Sequence, residues 1–196
     1  MTLLEMLVAL TIASLLVLLL VRTQAAVLGA WRRLGAQNRL QQELAACRDT
    51  LLRRVRSAVS FRPPRSLRRV YTFRGTAHSL TFVTGQGPTP ASPPGLWLVT
   101  YTYVPGEEPG TGWLTAAVRP ALALGVKAPA EAEPLLAGVE GLRFTYLAWD
   151  RRGMRMVERP QWRDAGGGRL PLAVVLHLTL QGRRLRWLLP VAGGRG

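Results

Sequence analysis

Apolar residues fill the start of the chain almost without a break. From Met6 to Val21 there is no charged residue, and Glu5 stands alone at the head of the run. At about 1.5 Å per residue, a helix from Leu3 to Val21 measures roughly 28 Å, close to the hydrocarbon thickness of a bilayer. The pattern then becomes one-sided. Leu28, Trp31 and Leu34 begin a stripe that continues through Leu40, Leu44, Cys47, Leu51, Val55 and Ala58 at spacings of three and four. Arg39, Gln42, Glu43, Asp49, Arg53 and Arg56 occupy the opposite positions. Pro63-Pro64 ends the pattern, because the residue before a proline is pushed out of helical geometry. The spacing predicts one helix from about residue 2 to about residue 60, apolar all round at first and amphipathic afterwards.

Beyond Leu67 the period changes to two. Val70–Arg74 and Ser79–Thr84 read as paired strands around Gly75-Thr76-Ala77-His78. Leu96–Val104 is a strand closed by the turn-rich Pro105–Gly110, and Gly112–Arg119 returns. An Ala/Pro-rich connector over 120–134 leads through Leu135–Gly141 into Leu142–Leu147. Met154–Val157 reads as a short edge. Ala173–Leu180 and Arg184–Pro190 form a hairpin across Gln181-Gly182-Arg183. The expected fold class is α+β: a long N-terminal helix spine, membrane half plus amphipathic half, packed on antiparallel β-sheets. The expected divisions are 1–22 for the transmembrane half, 23–61 for the amphipathic half, 62–192 for an antiparallel β-rich globular domain and 193–196 for a flexible tail.

Charge changes the picture in one region. The chain carries +15, with 26 Lys and Arg residues against 11 Asp and Glu, and Lys127 is the only lysine. No acidic residue lies between Asp49 and Glu107, and Arg53, Arg54, Arg56, Arg62, Arg65, Arg68 and Arg69 crowd that interval. Such a surface attracts nucleic acid or anionic lipid headgroups, or meets an acidic neighbouring subunit. Cys47 is the only cysteine, which rules out an intrachain disulfide and suits a buried position on the helix. The two histidines, His78 in a turn and His177 in a strand, read as structural. No Cys/His/Asp cluster has metal-ligand spacing, and Glu107-Glu108 and Glu131/Glu133 are carboxylate pairs in loops. No enzyme, metal or cofactor is expected.

Glu5 is the residue with an unmet need. A charged side chain in lipid costs about 2.5–3.5 kcal/mol at the helix centre on insertion scales, and less near the interface. The helix macrodipole favours a carboxylate at this end. A cationic partner must come from another chain or from the chain's own amino terminus, since the first basic residue, Arg22, lies at the far end of the run.

Thr2-Leu3-Leu4-Glu5-Met6-Leu7-Val8-Ala9-Leu10 resembles the mature start of the type IV pilin and pseudopilin family, with Met1 where that family usually has Phe. Phe73-x-Gly75, Leu80-x-Phe82-Val83-Thr84, Trp113-Leu114-x-x-x-Val118-Arg119, Leu142-x-Phe144-x-Tyr146-Leu147 and Leu170-Pro171-x-Ala173-Val174 are similar to the J-type minor pseudopilin of type II secretion. The resemblance implies a leader removed by prepilin peptidase and N-methylation of residue 1. It implies that Glu5 pairs with the terminal amine, here of Met1, of a neighbouring subunit. Leu4, Leu7, Val8, Thr11 and Leu15 would then pack on partner helices or lipid. The implied protein is a structural subunit of the pseudopilus tip that helps to initiate assembly for protein export. Its partners are other minor and major pseudopilin subunits and the lipid of the bacterial inner membrane. It crosses that membrane once, with its globular domain on the periplasmic or outer side. The alternative is a minor pilin of a type IV pilus or DNA-uptake machine, in which the arginine-rich interval touches nucleic acid.

Overall fold

The computed structural model describes residues 3–60, 73–89, 91–108, 110–121, 132–150, 153–163 and 169–194, without the side chains of 3–5, 7–9 and 25–37. The chain divides into two compact units, Met1–Ala45 and Ala46–Gly196.

The first unit is helical. Helix α1 runs Leu3–Arg56, and its side chains are described mainly along two short stretches, 10–24 and 38–56. Every described side chain from Leu10 to Gln24 is exposed. Ser14 and Thr23 fold their hydroxyls back onto the carbonyls of Thr11 and Leu19, at 2.8 Å each. This satisfies a polar group locally on an apolar helix. Among the described residues, no helix is long and apolar enough to cross a membrane.

Among the described residues, the second unit is built on nine strands. They are β1 (Arg74–Gly75), β2 (Ser79–Thr84), β3 (Trp97–Val104), β4 (Gly112–Pro120), β5 (Ala132–Asp150), β6 (Arg155–Arg159), β7 (Trp162–Arg163), β8 (Ala173–Leu180) and β9 (Arg183–Pro190). All the pairings are antiparallel, in the order β7-β1-β2-β3-β4-β5-β8-β9, with β6 on β5. The ladder is irregular at Gly112/Leu114, at Leu114/Thr115 and at Val139/Gly141. Such bulges raise the local twist and bend a strand, so they curl the sheet.

The concave face of the sheet forms the core. Leu80 and Phe82 of β2, Val99 and Tyr101 of β3, Leu114 of β4, Leu142, Phe144 and Tyr146 of β5, and Val174, Leu176 and Leu178 of β8 are all buried. They share one face by register, as in Leu80↔Tyr101, Phe144↔Leu176 and Val174↔Leu189. Phe73 stacks on Phe82 at 5.8 Å and meets Tyr146 edge-on at 6.4 Å. Gly75 is obligatory there. A Cβ on it would fall inside the Tyr146 ring, whose hydroxyl donates to the Thr76 carbonyl at 2.9 Å.

The last turns of α1 are part of this core. Cys47, Leu51, Val55 and Ala58 are buried, and Asp49, Arg53 and Arg56 face outward. The end of the helix is tied down: Ser57 and Thr84 hydroxyls lie 2.6 Å apart, and Val59 N donates to the Val83 carbonyl at 2.9 Å. Ala192 N reaches the Arg56 carbonyl at 3.2 Å, satisfying one of the carbonyls a helix end leaves open.

The expected α+β fold, a long helix spine packed on antiparallel β-sheets, is therefore corrected. Among the described residues, strands predominate (48%) in a single curled antiparallel half-barrel sheet, and the helix has its side chains described mainly along the short stretches 10–24 and 38–56. The physical reason is that the curled sheet buries its own apolar face strand against strand. The Cys47–Ala58 segment adds Cys47, Leu51, Val55 and Ala58 to that core.

Of the expected strands, Val70–Thr72 lies outside the described residues, as do 122–131 of the connector. Trp162–Arg163 pairs with β1 although no period-two pattern marks it. The hairpin turn is two residues, Gln181-Gly182, both with positive φ (48° and 70°), so Arg183 joins β9. That geometry is the primed turn whose twist matches the flanking strands.

Candidate functional site

The residues singled out by sequence fall in three places. Met1, Leu4, Glu5, Leu7 and Val8 have side chains outside the described residues. Thr11 and Leu15 are exposed on α1. They sit in a stretch where Leu15, Leu16, Val17, Leu18, Leu19, Leu20 and Val21 are all 53–65% exposed. Seven consecutive residues make about two helical turns, so apolar atoms point in every direction from the axis.

The arginine-rich interval divides. Arg62, Arg65, Arg68 and Arg69 lie outside the described residues. Arg53 is exposed and pairs with Asp49 at 3.0 Å, one helical turn away. Arg56 is exposed. Arg54 is only 8% exposed. It turns inward, donates to the Pro88 carbonyl at 3.0 Å and takes no part in an exposed basic surface. Beside it, burial pushes the Tyr101 phenol up to about 12, against the pull of the Arg54 guanidinium. Arg53, Arg54 and Thr50 line an open groove of about 410 Å³ against the loop at 85–89.

A polar cluster that no sequence spacing announced lies on the convex face. It joins Thr145 of β5, Glu158 of β6, His177 of β8 and Arg186 of β9. The Thr145 hydroxyl donates to Glu158 Oε1. His177 Nε2 lies 3.2 Å from both Thr145 Oγ1 and Glu158 Oε1. Arg186 Nη2 lies 3.7 Å from Glu158 Oε2. The Thr145 hydrogen bond, with His177 and Arg186 assisting against partial burial, holds the Glu158 carboxyl below its ordinary 4.5.

A hydroxyl, an imidazole and a carboxylate invite comparison with an activated nucleophile. That chemistry needs the imidazole between the other two, one ring nitrogen on each. Here a single nitrogen faces both, and the Thr145 proton is directed at Glu158. The geometry is a tie across four strands.

Next to the tie, Arg143, Arg184 and Arg186 join His78, His177 and Tyr103 around an open groove of about 420 Å³. His78 Nδ1 lies 3.0 Å from the Leu142 carbonyl. Glu140, at one end of the groove, accepts from Gly182 N at 3.0 and 3.2 Å.

Among the described residues, no three His, Cys, Asp or Glu side chains are grouped to hold a metal. Glu107 and Glu108 are exposed, as is Glu133, while Glu131 lies outside the described residues. Of the tryptophans, Trp162 and Trp187 are buried, Trp97 is half-buried, and Trp113 and Trp149 are 41% exposed. The side chain of Trp31 lies outside the described residues. No protein-family model matches the chain, and no curated protein matches it.

Proposed function

We propose that the chain is a minor pseudopilin-type subunit that helps to initiate assembly at the tip of a secretion pseudopilus. It works by helix packing and carries no active site. One observation supports this reading above the others: an apolar helical stretch exposed on all sides, headed in sequence by the lone Glu5. A contiguous apolar surface of that kind marks an interaction site. Its cover is the lipid of the inner membrane and the corresponding helices of other minor and major subunits. The described apolar run, Leu10–Val21, spans roughly 18 Å, and extending it to Leu3 reaches roughly 28 Å, the thickness of a bilayer core. In this reading the helix crosses the inner membrane once and the sheet unit lies on the outer side. The reading rests on the N-terminal stretch and not on the sheet.

Glu5 supplies register. In a low-dielectric surround an unpaired carboxylate is strongly unfavourable, so pairing with the terminal amine of a neighbouring subunit fixes one axial offset. The rival reading, a pilin of a type IV pilus or DNA-uptake machine, asks more of the basic interval. It has less support, because Arg54 is buried and Arg53 is already paired with Asp49.

The test is a photocrosslinker in place of Leu15, introduced in the native host. The reading expects adducts with other small membrane-anchored subunits, reduced at least about fivefold by Glu5→Ala. Adducts with lipid alone, unchanged by Glu5→Ala, would make the stretch a simple anchor and defeat the assembly reading.

A further inference from the structure

The sheet ends on an unusual edge. β9 is the last strand in the sheet order, eight residues long (Arg183–Pro190), and among the described residues nothing pairs with its outer side. Exposed edges of this length are templates for pairing with another chain.

The register says which backbone groups are free. In a two-residue hairpin with both turn residues at positive φ, the flanking residues Leu180 and Arg183 form a hydrogen-bonded pair. Hydrogen-bonded and non-bonded pairs then alternate along an antiparallel ladder. Leu178↔Leu185, Leu176↔Trp187 and Val174↔Leu189 are bonded pairs. Thr179↔Arg184, His177↔Arg186 and Val175↔Leu188 are not. The backbone N–H and C=O of Arg184, Arg186 and Leu188 therefore point away from β8. Pro190, which has no N–H, ends the row where no donor is needed.

The side chains of the same three residues stand on the convex face. Arg184 is exposed, and Leu188 is 52% exposed. Arg143 lies across β8 from Arg186 through His177, and the groove beside them is lined by Arg143, Arg184 and Arg186. These three arginines meet two carboxylates here. Glu158 faces Arg186, and Glu140 is held by Gly182 N. Among the described residues, Arg143 and Arg184 have no ion-pair partner.

We propose that β9 is a docking edge for an extended acidic segment of a partner protein, added as a tenth, antiparallel strand. Its acidic side chains face Arg184 and Arg186, and an apolar one faces Leu188. Backbone bonds to Arg184, Arg186 and Leu188 would hold the strand, and the alternating side chains would select it. A second copy of this chain is a poor occupant. Pairing β9 on itself about Arg186 sets like charges directly opposite, which destabilises a ladder, and the two chains each carry +15. The inference goes beyond the secretion reading and stands or falls separately from it.

The experiment titrates the full chain in detergent with a fluorescent, end-blocked seven-residue peptide. One leucine and then two glutamates alternate with threonines in it. A second peptide carries N-methyl groups on the leucine and glutamate amides, keeping every charge but removing the strand-pairing donors. We expect saturable binding of the first, weakened at least about tenfold by N-methylation and by Arg184→Glu, and absent when lysines replace the glutamates. Failure of the first peptide to bind overturns the proposal. So does equal binding of the N-methylated peptide, which would mean attraction by charge alone.

Discussion

Replacing Leu51 tests whether the last turns of α1 complete the core of the sheet. Leu51 is fully buried, and Val55 one turn later is buried with it. Leu51→Ala removes three carbons from that contact. At about 0.8 kcal/mol per buried methylene, the transfer contribution is roughly 2.4 kcal/mol. A residual cavity of about 50 Å³ adds about 1 kcal/mol. The expected loss is about 3–4 kcal/mol. For a domain of this size each kcal/mol moves the midpoint by about 2–4 °C, so thermal unfolding should shift down by about 6–16 °C. The assay is thermal unfolding of the full chain followed by the β-sheet signal in circular dichroism. Arg53→Ala, on the exposed face of the same helix, serves as the reference and should stay within about 0.5 kcal/mol of the parent. If the two variants melt alike, the segment does not pack on the sheet and the account of the core is wrong.

Gly75→Ala places a methyl group against the Tyr146 ring and should destabilise by about 1–3 kcal/mol. Denaturant midpoints check it, and the increment caused by Gly75→Ala should shrink when it is measured in a Tyr146→Ala background. Glu158 has a depressed folded pKa, so its contribution is present above the unfolded carboxylate range and is lost as pH falls through the folded value. Melting temperature should therefore drop below pH about 4.5 more steeply in the parent than in Glu158→Gln. Cys47 is buried, and burial pushes its thiol up to about 11. Iodoacetamide at pH 8 should modify it only at the rate of unfolding, and denaturant should bring reaction to completion within minutes.

The parts of the fold legible in the sequence were those set by periodicity. The stripe through Cys47, Leu51 and Val55 is the buried face of the helix end, and Ala58 is buried just past it, where the helix stops at Arg56 and not near residue 60. The alternation in 79–84, 97–104, 112–120 and 173–180 marks real strands. Periodicity says which face of a strand is buried but not which strand lies beside it. The single curled sheet was therefore not legible, since it depends on bulges at Gly112/Leu114 and Val139/Gly141 that only the paired strand reveals. The 19-residue β5 was hidden for a related reason. It changes neighbours along its length, pairing with β4, then β8 and β6, and its burial alternation breaks at Gly138, where φ is 72°. The long-spine expectation overreached because apolar spacing shows which face of a helix can be buried and not what lies against it. At the candidate sites, charge density alone did not tell Arg54, which turns inward, from Arg53, which stays outside. Glu158, His177 and Thr145 meet only through strand pairing, and no local spacing between them carries a signal.

The central claim is that the N-terminal stretch belongs to an assembling pseudopilin-type subunit, and the most direct measurement is the mass of the N-terminal peptide purified from the native membrane. The account predicts a peptide beginning at Met1 of this numbering and carrying one methyl group on its amine, with methylation lost in Glu5→Ala. An unmethylated peptide, with no change in Glu5→Ala, would contradict it.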